Sequence, residues 1–371
     1  MHAPRKLQHG MSLIEIMVAV VIGLIGILII TQAYITSDNF NRSTLGEGGA
    51  QTSGLLALYS IQKDVRMAGY GIATTAALGC GNASWYYGGS YSANVASGSL
   101  ANFNVVPVSI NASTTTAANP DVITIAYGTK NERSTAANIN GQTTSPVNPT
   151  MLLDGVYGFA AGDVVLLVKS TGCALRQVSQ LSTSSQSISF AQGGSWPYNP
   201  NGWGSFPVTN FASGDTVLNL GTPVMRTYSI VNNKLRMFDA FASAAGVSNA
   251  TSDLVEGIID MRAQYGLDDG SGGGTADDGI VDSYTNVSPT NATGWGRVLN
   301  VRIGVLARIG NYEKPSAGAG GNCDATTTAP TWAGGSFPAI NISTVTSQDR
   351  CYRYRVFQTT VPLRNMLWRT S

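Results

Sequence analysis

The sequence predicts an α+β fold: a long N-terminal α-helix packed on an antiparallel β-sheet (an α/β roll), with large loop insertions. Three observations predict it. An apolar run, "GMSLIEIMVAVVIGLIGILII" (Gly10–Ile30), leads into a stretch with helical spacing. From Asp121 onward, β-branched runs bounded by turn residues replace the helical pattern. Two stretches rich in small polar residues interrupt the strands. Helix first and strands after is the order of an α+β protein.

The helix comes first. From Met11 to Ile30 only Ser12 and Glu15 are polar, and Arg5 and Lys6 precede the run. About 20 residues at a 1.5 Å rise span the roughly 30 Å hydrocarbon layer of a bilayer. A secretory signal has a shorter apolar core and a small-residue cleavage site after it. Here the following residues are "TQAYITSDNF", so a plain signal peptide does not fit. An ordinary single-pass anchor fits the length but leaves Glu15 unexplained, since a carboxylate centred in a membrane helix costs about 2.5–3.5 kcal/mol on insertion scales. Beyond Ile30 the sequence turns amphipathic. Leu55, Leu58, Ile61 and Val65 share one helical face, flanked by Lys63, Asp64 and Arg66. The glycines of "LGEGG" (Leu45–Gly49) weaken the joint within one helix expected over about residues 12–67, with two separate helices as the alternative.

The strands follow. "DVITIAYG", "GDVVLLVKS", "DTVLNL" and "VMRTYSIVNNKLRMF" are β-branched runs, and Asn232-Asn233 reads as a hairpin turn. In "VLNVRIGVLARIG", Leu299, Val301, Ile303 and Val305 fall on one face. "RYRVFQTTVPLRN" (Arg353–Asn365) is a further strand, with Pro362 placing its end at an edge or a bulge. Residues 82–150 and 312–348 read as the insertions, either surface loops or linkers. Between two strands lies "DDGSGGGTADDGIVDSY", which concentrates Asp268, Asp269, Asp277, Asp278 and Asp282 among glycines. Flexible clustered carboxylates suit calcium, although the spacing is not that of an EF-hand. Asp and Gly are also favoured turn residues, so a solvated turn stands beside calcium as the second reading. No other cofactor is expected.

Composition narrows function. Charged residues make up 12 % of the chain and nearly balance, which argues against a nucleic-acid partner. The four cysteines, Cys80, Cys173, Cys323 and Cys351, form no CxxC and fit two disulfides in an oxidising compartment, with buried free thiols as the alternative. Cys323 and Cys351 are expected to close a C-terminal loop, and Cys80 and Cys173 to tie the Ser/Thr-rich region to a strand. Both histidines, His2 and His9, precede the apolar run. If that leader is removed, Ser-His-Asp triads, Cys-His dyads and histidine-ligated metals are excluded together. Removal also takes the 22 Lys and Arg to 20, against 21 Asp and Glu. A carboxylate pair could still catalyse glycoside hydrolysis, but the acidic loop is too glycine-rich to hold one rigidly. The expectation is a protein without catalytic residues.

The residues "GMSLIE" (Gly10–Glu15) resemble the class III signal of type IV prepilins. The resemblance implies that a prepilin peptidase cuts after Gly10, that Met11 becomes the N-methylated first residue, and that Glu15 is the assembly glutamate. The family usually carries Phe at the first mature position, where this chain has Met11. Physics makes Glu15 intelligible in that setting. Cutting after Gly10 leaves an α-amine at the end of an apolar helix, and Glu15 of a neighbouring staggered helix can face it. Breaking such a buried pair costs about 3–5 kcal/mol, so the pair acts as a register device. A Glu snorkelling to the headgroups is the plainer alternative.

Four further segments extend the resemblance to the PilW family of type IV minor pilins. "KDVRMAGYG" (Lys63–Gly71) ends the helix as in that family. "LVEGIIDMRAQYGLDDG" (Leu254–Gly270), then "WGRVLNVRIGVLAR" (Trp295–Arg308), then "YRVFQTTVPLRN" follow in the family's order. The resemblance implies a leader at 1–10, a transmembrane or filament-core half-helix at 11–35, an amphipathic half at 36–70 and a β-rich pilin head at 71–371. It implies a subunit held in the inner membrane by one pass with its head in the periplasm, then located at the pilus tip or cell surface. Its partners would be the prepilin peptidase, other minor pilins, the major pilin and a tip adhesin. The task would be priming assembly of a filament for twitching motility, adhesion or DNA uptake. The J-type minor pseudopilin of type II secretion is a shorter relative and the alternative, as is an uncleaved anchored binding protein.

Overall fold

A computed structural model describes residues 12–78, 80, 82–87, 100–112, 119–130, 136–143, 148–199, 210–244, 250–316 and 318–367. The chain divides into two units, Met1–Gly49 and Ala50–Ser371. One helix, α1 (Leu13–Met67), belongs to both and stays helical through Gly46, Gly48 and Gly49. In the first unit its apolar side chains, Leu13 through Ile35, are exposed.

In the second unit α1 becomes one wall of a core. Ala50, Gly54, Ala57, Leu58, Ile61, Asp64, Val65 and Ala68 are buried, at spacings of three and four that define one face. Leu55 is a correction to the expected face: it is 54 % exposed, because Gly54 and Ala57 hold the centre of the stripe instead. Gly54 is required by close approach. A Cβ there would lie 2.7 Å from Phe357 Cγ and nearer still to two other ring atoms.

The strands run in chain order as β1 (Asn82–Tyr86), β2 (Leu100–Asn104), β3 (Val108–Asn111), β4 (Val122–Tyr127), β5 (Ala137–Thr143), β6 (Thr150–Leu153), β7 (Val164–Lys169) and β8 (Gly172–Gln177). They continue as β9 (Gln180–Ser182), β10 (Ser187–Ser189), β11 (Thr216–Gly221), β12 (Val224–Val231), β13 (Lys234–Asp239), β14 (Thr251–Glu256), β15 (Ile258–Leu267) and β16 (Ser283–Thr285). The last are β17 (Val298–Arg308), the short hairpin β18 (Thr331–Trp332) and β19 (Gly335–Ser336), and β20 (Tyr354–Pro362).

Two sheets carry the core against α1. One is five-stranded, in the order β14-β13-β12-β4-β3, and the other four-stranded, in the order β16-β15-β17-β20. Ile123, Ile125, Tyr228 and Leu235 of the first meet Ile61 and Val65, together with Met261, Val301, Ile303 and Val305 of the second. Asn232 and Asn233 connect β12 to β13 with φ of 51° and 60°, the two positive values a type I′ turn requires. Pro362 ends β20, the edge strand. The Tyr265 hydroxyl on β15 accepts from the Ile110 amide (2.7 Å) and donates to the Val108 carbonyl (3.1 Å), which ties the two sheets.

The third sheet is nine-stranded, in the order β2-β1-β8-β7-β11-β5-β6-β10-β9, antiparallel except where β1 runs parallel to β8. It is covered on both faces. Val164, Leu166 and Val168 of β7 join Trp85, Leu175 and Phe241, while Val165 and Leu167 join Ile139, Met151 and Phe190. This corrects the reading of residues 82–150 as an insertion outside the core. The described part of that stretch supplies β1 to β5 and the start of β6, with Trp85, Val105, Ile123 and Ile139 buried. Residues 312–348 also do more than loop. Trp332, Phe337 and Ile340 cover Leu306 on the outer face of the four-stranded sheet. Gly304 permits this, since a Cβ there would lie 2.6 Å from Trp332 Cδ2.

Candidate functional site

Gly10 and Met11, with the rest of the leader, lie outside the described residues. The described chain begins at Ser12, whose carbonyl accepts from the amides of Glu15 (3.0 Å) and Ile16 (3.3 Å) and so starts α1. Glu15 is exposed in the first turn, where the positive end of the helix dipole favours a carboxylate. No charged side chain follows until Asp38, which pairs with Arg42 at 2.9 Å. That interval is about 33 Å of helix, enough to cross the hydrocarbon layer. Within it the Thr31 hydroxyl donates to the Ile27 carbonyl (2.8 Å), so the polar group is satisfied inside the helix. A helix apolar all round needs lipid or other apolar helices about it.

A buried charge that the sequence pattern does not reveal is Asp64. Its position among Lys63 and Arg66 suggests a flanking charge, yet it is 2 % exposed at the centre of the packed face. Arg226 Nη1 lies 3.0 and 3.2 Å from its two oxygens, Tyr228 donates at 2.7 Å and Tyr127 at 3.3 Å. Arg226 Nε reaches on to Asp239 at 3.2 Å. Burial, reinforced by the Asp64 charge, pushes the Tyr127 hydroxyl up to about 12. The signal that could have found it is the spacing of Asp64 three residues after Ile61, on the apolar stripe itself.

The acidic loop folds on its own backbone. Asp268 accepts from the amides of Gly279 (2.6 Å) and Asp278 (3.3 Å), and Asp282 from that of Gly270 (2.6 Å). Asp278 accepts from the Ile280 amide (2.9 Å), and Asp277 pairs with Arg297 at 3.0 Å. Hydrogen bonds from Ser271, with a further one from Ser283, hold Asp269 below the usual carboxylate range. Four of the carboxylates accept from amides of the loop itself and the fifth, Asp277, pairs with Arg297. Among the described residues no group of three or more His, Cys, Asp or Glu side chains is placed to hold a metal ion.

The cysteines pair as Cys80–Cys173 and Cys323–Cys351, with Cα separations of 5.8 and 4.8 Å. The first joins the segment before β1 to β8. The second closes the loop that carries Trp332 and Phe337.

Two stretches of the chain match known families. Residues 5–31, which include Gly10, Met11 and Glu15, match the family model of the prokaryotic N-terminal methylation motif. Residues 224–365 match that of the type IV pilus-assembly protein W, PilW. These two matches support a PilW-like type IV pilin. Comparisons with curated proteins and with solved structures give no match. The PilW match opens at Val224, the first residue of β12, and takes in the whole four-stranded sheet. Every strand of the nine-stranded sheet precedes it, so that sheet lies outside both matched regions. The apolar helix and the methylation motif point to membrane anchoring.

Proposed function

We infer that this chain is a minor subunit of a type IV pilus, cut after Gly10 by a prepilin peptidase and methylated at Met11. It joins other minor pilins, the major pilin and a tip adhesin in the complex that primes assembly, and it rides at the tip. The observation that carries the reading is Glu15, the one charge between Leu13 and Ser37 of an exposed apolar helix. A cut after Gly10 puts the new amine four residues before it, and staggered parallel helices bring one subunit's amine to the next subunit's carboxylate. The role is structural rather than enzymatic. The cut chain keeps no histidine, and its clustered aspartates are occupied in turns.

The test is the mass of the N-terminal peptide from membrane-extracted protein, with Glu15→Ala and Glu15→Asp beside it. The expected peptide begins at methylated Met11. Glu15→Ala should insert and be cut normally, yet fail to co-purify with partner minor pilins, and Glu15→Asp should fall between. An uncut chain retaining His2 and Lys6 in assembled filaments would end the reading. Full co-purification of a stable Glu15→Ala protein would remove the pairing role.

A further inference from the structure

Three side chains from distant parts of the head meet at one carboxylate. Lys130 follows β4 of the five-stranded sheet, Asp163 opens β7, and Asn219 lies in β11 of the nine-stranded sheet. Lys130 Nζ is 3.2 Å from Asp163 Oδ2 and 3.4 Å from Oδ1. Asn219 Nδ2 donates to the same Oδ2 at 2.9 Å and to the Gly158 carbonyl at 2.8 Å. The Gly221 amide donates to Asn219 Oδ1 at 3.0 Å, and the Ala160 amide to Asp163 Oδ2 at 2.8 Å. The backbone brings the amine here: the Thr129 amide donates to the Leu220 carbonyl (2.8 Å), and the Thr129 hydroxyl bridges to Thr222 (3.0 Å).

This set has the parts of an acyl transfer. An amine and a carboxamide nitrogen share one carboxylate oxygen, and the amide oxygen is held by a backbone N–H where an oxyanion would form. The site is largely out of water, with side-chain exposures of 19 % for Lys130 and 13 % for Asp163, and Asn219 is 3 % exposed. Proton transfer from the ammonium to the adjoining Asp163 carboxylate gives the neutral amine that a nucleophile requires.

We propose that Lys130 and Asn219 form an intramolecular isopeptide bond, with Asp163 as the proton carrier. Asp163 takes a proton from the Lys130 ammonium, and the free amine adds to Asn219 Cγ. The Gly221 amide stabilises the oxyanion. Asp163 gives its proton to Nδ2, the Cγ–Nδ2 bond breaks, and Asp163 takes the second proton from the added amine nitrogen and passes it to the departing ammonia, which leaves as ammonium. One C–N bond replaces another, with no oxidant or further reactant. The product fastens the exit of β4 to β11, and so joins the five-stranded sheet covalently to the nine-stranded one. A head pulled on by a filament then cannot part those sheets.

The test is tryptic mapping of the full-length, detergent-extracted protein by mass spectrometry. The expected result is a branched peptide in which Lys130 resists trypsin and is joined to the Asn219 peptide, lighter by one ammonia than its parts. Lys130→Arg and Asp163→Ala should each give linear peptides at full mass. Wild-type protein cut at Lys130, with Asn219 at full mass, is an ion pair only and overturns the proposal without recourse to any variant. Lys130 joined to Asp163 with loss of water overturns Asn219 as the acyl donor. A cross-link that persists in Asp163→Ala overturns the role given to Asp163.

Discussion

Gly54 is where the helix meets the closing strand, and one methyl group there tests how tightly they fit. The Cβ of Gly54→Ala would sit 2.7 Å from Phe357 Cγ and nearer to Cδ2 and Cε2. Carbon atoms prefer about 3.5–4.0 Å, so the overlap is about 1 Å or more. Phe357 lies between its β17 partner Val305 and α1, which limits where the ring can go. Overpacking of this kind costs about 1–3 kcal/mol. Against it, Ala is favoured over Gly inside a helix by about 1 kcal/mol. The net expectation is a loss of about 0–2 kcal/mol. In a Phe357→Ala background the obstacle is gone, and the same substitution should instead stabilise by about 1 kcal/mol. The assay is urea unfolding of the four proteins in detergent, followed by circular dichroism and assembled as a double-mutant cycle. The coupling should reach about 1–3 kcal/mol and the sign of the Gly54→Ala effect should reverse between backgrounds. An equal stabilisation in both would refute the reasoning, because it would mean that the ring does not hold its place against the helix.

The disulfides should rank by the loops they close. Separations of 28 and 93 residues correspond in the chain-entropy account to about 3.6 kcal/mol for Cys323–Cys351 and about 4.7 kcal/mol for Cys80–Cys173, so the paired Cys→Ala variant of the latter should unfold at lower urea; the reverse order would show that local packing sets the effect. Asp260 gives a pH dependence of known sign. Burial raises its carboxyl against the opposing pull of Arg262, so the folded state binds its proton more tightly than the unfolded chain does. The stability it contributes is greatest below the ordinary carboxylate value of about 3.9 and declines as pH rises through the higher folded value. The stability of wild type relative to Asp260→Asn, measured by unfolding across that range, should therefore fall with rising pH, and a rise would contradict the buried placement.

What the sequence made legible was what local chemistry decides. The Asn232-Asn233 turn needs only two residues able to take positive φ, and Pro362 needs only an edge, so both could be read without knowing the partners. The nine-stranded sheet could not. Its β1 finds β8 some ninety residues on, and β11 pairs with both β5 and β7, so no short window holds the information. Small polar residues around those strands made residues 82–150 look like loop, although Trp85 and Ile139 are core. Asp64 was obscured for a different reason. A charge on a helix ordinarily marks the solvent side, and only the arrival of Arg226, Tyr127 and Tyr228 from strands more than sixty residues away makes its burial tolerable. The Lys130–Asp163–Asn219 cluster follows the same rule. Each residue alone is an ordinary surface or turn residue by type, and any chemistry they hold exists only in the register that brings β4, β7 and β11 together. Glu15 stands at the other extreme. In the proposed role its partner belongs to another subunit, so its meaning rests on the few residues around it and nothing in its own chain's fold is needed to expose it.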